Sequence, residues 1–171
     1  IKDFPLRLKR IRQEVDKEHV IWDQVNVSYS DLIQQISDLI LVKVGSMDYS
    51  EDIAFEVQLL SYLTLVRESF GAIRDTVYQD FQIGKLSEKD LINVQSNFIQ
   101  FEHNFRLYNL IATSHIEHEG DLSWLLKFEK KSFDFVLTHL NRMLDNATLS
   151  VDLSAESWWR ETTNVIDSMK Q

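Results

Sequence analysis

At 171 residues the chain is long enough for one domain with a real core and short of the length that normally divides into two. Its formal net charge of −9, from 27 acids against 18 Lys and Arg, would repel a nucleic-acid backbone, so any bound anion must be met at a local cationic site. With no cysteine, disulfides and thiolate metal sites are excluded, and with 4 glycines and 1 proline there is little to break long helices, so the expected class is all-α.

After Pro5, Leu6, Leu8, Ile11 and Val15 predict a short helix that carries the basic cluster RLKRIR and is interrupted from Lys17 to His19. From Val20, the positions Trp22, Val25, Tyr29, Leu32, Ile33, Ile36, Leu39 and Ile40 recur at three and four residues. That spacing predicts a second helix with one buried stripe, ending near Gly45. The run LILVKVG is too short to cross a bilayer, which takes about 20 apolar residues, and it contains Lys43.

Ser50 is a candidate N-cap, with Glu51 and Asp52 at the positive end of the next helix dipole. The longest helix is expected from Ile53 to Phe81, with Phe55, Leu59, Leu60, Leu63, Val66, Phe70, Ile73 and Val77 inward and Gly84 stopping it. Ser87 and Asp90 resemble a capping box with Asp in place of Glu or Gln, and Leu91, Val94, Phe98, Phe101, Phe105 and Tyr108 form the next stripe. The polar stretch SHIEHEGD reads as a loop that ends it.

Asp121 can cap a following helix with Leu122, Leu125, Phe128, Phe133, Val136, Leu140 and Met143 inward, ending near Asn146. The last helix starts at Ser154 and presents Trp158, Trp159, Thr162, Val165, Ile166 and Met169 at helical spacing. Adjacent helical residues diverge by about 100°, so Trp158 and Trp159 cannot both point into one core. About four long amphipathic helices with shorter terminal ones pack most simply as a single antiparallel up-and-down bundle over residues 1–171. The opening on Ile1 and the close on NVIDSMKQ in mid-pattern suggest a segment of a longer protein.

The segment RESFGAIRDTVY carries the main candidate chemistry. Arg67 and Arg74 are seven residues apart, about 20° from alignment, with Gly71 between them on the same face. A mid-helix glycine costs roughly 1 kcal/mol relative to alanine, so it points to close approach of another helix or of a ligand. Neither arginine has an acid at i±3 or i±4, and Arg74 has Phe70, Gly71, Val77 and Tyr78 there. A guanidinium turned toward a core must find an anion or acceptor, and a planar oxyanion suits its fork. The alternatives are snorkelling, or pairing with an acid of another helix such as Asp31, Asp38 or Glu102.

His115, Glu117, His118 and Glu119 lie close together, but not in the H-E-x-x-H order, and no third His completes a metal site, so a solvated segment is the better reading. No nucleophile elbow, phosphate loop or dinucleotide fingerprint is present, and neither an enzyme nor a cofactor is expected.

Three segments in register resemble the nitrate- and nitrite-sensing domain, a helical ligand-binding module of bacterial signalling receptors and transcription antiterminators. They are LKRIRQEVD with YSDLIQQI, then SYLTLVRESFGAIRDTVYQDFQIGKLS, then VDLSAESWWRETTNVIDSM. In the second, Arg67, Glu68, Gly71 and Arg74 match the family signature. The resemblance implies a small anion such as nitrate or nitrite between helices, held in part by Arg74. It also implies a receptor context: a homodimer with flanking membrane helices and a signalling output domain outside this chain. The setting would be extracytoplasmic (periplasmic), with a cytoplasmic regulator as the alternative. Asp75 and Ile73 depart from the family's Ala and Glu, and nothing matches the upstream Gln-Glu-Arg-Gly motif that supplies a second ligand arginine. Either the chain is the C-terminal part of a longer sensor region, or it is a shortened relative that binds something else or nothing. A helical module for dimerisation or protein interaction, with no small ligand, is the competing function.

Overall fold

The computed structural model describes residues 3–15, 22–46, 51–119 and 130–169. Because breakers are scarce, nearly all of these residues are helical: α1 (Phe4–Val15), α2 (Trp22–Ser46), α3 (Glu51–Ile83), α4 (Glu88–Glu119), α5 (Lys130–Asn146) and α6 (Ala155–Ser168). The all-α bundle is as expected. At 33 residues, α3 is about 50 Å long and serves as the axis, packing against α2, α4 and α6, while α1 rests on α2 and α5 on α6.

Local chemistry sets several helix ends. Gly84 takes φ +72°, and the Lys85 N–H then reaches back to the Asp80 carbonyl at 3.1 Å, closing α3 as a left-handed glycine cap. The Asp90 N–H donates to the Ser87 hydroxyl at 3.1 Å, so Ser87 caps α4 as read, and that hydroxyl in turn donates to the Asp90 carboxylate. Ser154 caps α6 by accepting from the Ser157 N–H at 3.2 Å.

The main core joins α3, α4, α5 and α6. Val66, Phe70, Ile73 and Val77 from α3 meet Val94 and Phe101, Val136, Leu140 and Met143, and Trp158 and Val165. Phe101 lies at its centre, 5.1 Å from the Phe70 ring, 5.8 Å from Phe105 and 6.1 Å from Phe133. Such ring pairs add about 0.5–1.5 kcal/mol each beyond their buried area. A smaller cluster of Leu59, Tyr108 and Ala112 continues the α3–α4 seam, and Ile11 with Leu32 joins α1 to α2.

Three expectations need correcting. The SHIEHEGD stretch does not end its helix at Ser114, because α4 runs on to Glu119. Polarity alone does not break a helix, and neither Gly nor Pro occurs there before Gly120. Tyr29, Leu39 and Ile40 of α2 are exposed rather than buried, as is Leu60 of α3 beside buried Leu59. The 14-residue α6 covers only part of the long α3, so the stripe expected there is wider than the surface available to bury it. The expected caps at Ser50 and Asp121, the interruption from Lys17 to His19, and the positions Leu122, Leu125 and Phe128 lie outside the described residues. So do the side chains of Trp22, Val25 and His115 to Glu119.

Candidate functional site

Because α3 is continuous through RESFGAIRDTVY, Arg67, Gly71 and Arg74 all border one cleft, of about 690 Å³, between α2, α3 and α4, with Ile166 of α6 at its edge. Around Gly71, its own chain neighbours and the backbone of its own helix aside, nothing among the described residues comes within 4 Å of where a Cβ would stand. Close helix approach is therefore not the reason for this glycine, and what it keeps open is the cleft.

The two arginines differ. The Arg67 Nε is buried and has no hydrogen-bond partner among the described residues, and a polar group left in that state costs about 1–3 kcal/mol. Glu68 follows it in sequence. Burial pushes the Glu68 carboxyl above its ordinary range, with Arg67 drawing it down and Asp75 pushing it up.

Arg74 is occupied, though by none of the acids expected from other helices. Its Nε donates to Asp75 Oδ1 at 2.9 Å, an i+1 partner. Its Nη1 donates to Thr163 Oγ1 at 3.4 Å, and its guanidinium carbon lies 4.0 Å from the centre of the Trp159 ring. Trp159 also meets Tyr78 edge-on, with ring centroids 5.0 Å apart. The other member of the tryptophan pair turns inward: Trp158 is fully buried and its indole N–H donates to the Arg74 carbonyl oxygen at 3.1 Å. The two rings diverge as helical geometry requires, and both end at the same residue of α3.

As a whole the cleft is not cationic. Arg67, Arg74 and Lys89 share its lining with Asp31, Glu68, Asp75 and Asp90, and Asn93, Asn97 and Gln100 add carboxamides along one face of α4. A small anion would therefore be selected by individual guanidinium donors and not by a broad field.

One buried acid was missed in the sequence. Asp80 is 2 % exposed, with Oδ2 unpartnered among the described residues. Its pKa is raised to about 7, first by burial and then by the charge of Asp90 and a hydrogen bond with it. The signal was available: Asp80 has apolar Val77 and Ile83 at i±3 and Thr76 and Gly84 at i±4, with no cation among them. Among the described residues no group of acids and histidines is arranged to hold a metal ion.

The sequence profile that describes nitrate and nitrite sensing matches residues 2–171. The chain belongs to the nitrate- and nitrite-sensing family. This is a sensory family of signalling receptors and not a family of enzymes. Neither the curated proteins nor the solved structures contain a match to the chain. No helix among the described residues is long and apolar enough to cross a membrane.

Proposed function

We propose that this member of the family binds nitrate or nitrite in the cleft along α3, with Arg67, Gly71 and Arg74 as the contact surface, as one sensory domain of a receptor. The single observation that carries this reading is the Arg67 Nε, buried and without a partner among the described residues, in a side chain that borders the cleft beside Gly71. An oxyanion accepting that N–H would satisfy the donor and make a charge-assisted bond in one step. The domain would work as a homodimer on the extracytoplasmic side, between membrane helices, and would pass a helix displacement to an output domain outside this chain.

Thermal shift and calorimetric titration with nitrate, nitrite, chloride and sulfate test the binding. Nitrate or nitrite should raise the melting temperature of the wild-type chain, and Arg67→Met should abolish the rise while keeping full helicity by circular dichroism. Arg74→Ala should abolish it as well. A wild-type melting point that none of these anions moves would remove the reading. A docking role has one observation in its favour: Ile53 and Leu60 on α3, and Ile92 and Ile99 on α4, are exposed apolar residues at seven-residue spacing. Tight dimerisation with no anion response, measured by sedimentation, would favour that reading instead.

A further inference from the structure

We infer that Arg74 is a latch between α3 and α6, and that an anion in the cleft is sensed by taking this guanidinium away from α6. The inference rests on the anion-binding reading above and adds how binding is converted into helix movement.

A guanidinium can grip an oxyanion bidentately along two edges, Nε with Nη2 or Nη1 with Nη2. In Arg74 each edge already has one nitrogen committed, Nε to Asp75 at 2.9 Å and Nη1 to Thr163 at 3.4 Å. The Thr163 contact is the longer, its acceptor is a neutral hydroxyl, and it should yield first. Distance points the same way. Seven residues place the backbones of Arg67 and Arg74 about 10 Å apart along the helix axis, so one small ion meets both guanidiniums only if the side chains lean toward each other. Arg74 instead lies over Trp159. To share an ion with Arg67 it would leave that ring and turn into the cleft beside Gly71, where a Cβ would meet nothing within 4 Å.

Departure of the guanidinium removes both contacts that its side chain makes with α6, to Thr163 and to the Trp159 face. The bond from the Trp158 indole to the Arg74 carbonyl belongs to the backbone and stays. The helix would then pivot about buried Trp158 without undocking. Trp159 and Thr163 thereby become determinants of affinity, because they compete with the ligand for Arg74.

Hydrogen exchange over residues 155–168 and nitrate calorimetry on the same proteins test this. Without any anion, Arg74→Gln should speed exchange in 155–168 and leave α4 unchanged, and saturating nitrate should do the same to the wild type. Thr163→Val and Trp159→Leu should each tighten nitrate binding, by roughly threefold, since each removes a competitor of about that strength. Unchanged exchange in Arg74→Gln overturns the latch whatever the chain binds. Weaker nitrate binding in both Thr163→Val and Trp159→Leu overturns it too, by making those residues part of the binding surface. Faster exchange in Arg74→Gln with no nitrate or nitrite binding by any variant overturns the switch through its premise, and leaves the Arg74 contact as a purely structural one.

Discussion

The two sides of α3 differ in how completely they are closed. Toward α4, α5 and α6 the helix presents Val66, Phe70, Ile73 and Val77, all buried, to a continuous apolar core. Toward α2, Arg67, Gly71 and Arg74 border an open cleft of mixed charge that α4 also lines, and Arg74 reaches across to α6. The closed side fixes the helix, and the open side can afford a donor without a partner. Function is read from the side where packing rules are broken, because a buried unmet group persists only when the rest of the fold supports it.

The largest test of this contrast is Trp158→Ala. It removes a fully buried ring and the indole bond to the Arg74 carbonyl, and should cost about 3–5 kcal/mol in urea denaturation. A loss under 1 kcal/mol would mean that the closed side is not closed.

Asp80 gives the next effect, on pH dependence. It lies at the base of the α3–α4 pair, facing Asp90 and the Ser87 cap from α4. Its folded pKa, about 7, is above the value of about 3.9 for an unfolded aspartate. The protonated form is therefore favoured by folding. Its contribution is complete below pH 4 and is lost as pH rises through 7. Thermal melts of the wild type should fall between pH 5 and 8 by more than those of Asp80→Asn, which keeps a neutral donor beside Asp90. Parallel pH profiles for the two proteins would exclude a shared proton at this pair.

The smallest effect is on the open side and has the opposite sign. Gly71→Ala meets no steric obstacle and gains helix propensity, so it should stabilise the chain by up to about 1 kcal/mol while weakening nitrate binding. A destabilised Gly71→Ala would place a neighbour where the cleft should be empty.

Much of this architecture could be read from residue order. Helix ends depend on neighbours a few positions apart, so Gly84, Ser87 with Asp90, and Ser154 act where periodicity and cap chemistry put them. The stripe of α4 through Val94, Phe101 and Tyr108 is likewise buried. What stayed hidden has two causes. Residue order offers Arg74 partners at i±3 and i±4 or among the acids of other helices, whereas Asp75 is adjacent and Thr163 is a neutral hydroxyl 89 residues away on a helix whose docking no local pattern specifies. Leu60, Leu39 and Ile40 satisfy an apolar period, but burial also needs a neighbouring element to cover them. For the candidate site, residue order singled out Arg67, Gly71 and Arg74, and the docking of α6 gives the two arginines different surroundings.

The four-residue link between α3 and α4 has a consequence for how the domain assembles. Residues Gly84 to Ser87 join the two longest helices as a hairpin, so their seam is made of contacts at short sequence separation with little loop-closure entropy. The bonds that bring α6 to Arg74 span 84 and 89 residues and carry the greater entropic cost. Pulse-labelled exchange should therefore find α3 and α4 protected before α6. The last helix to arrive would be the one that Arg74 holds, so the sensor would gain its signalling contact only after its frame is built.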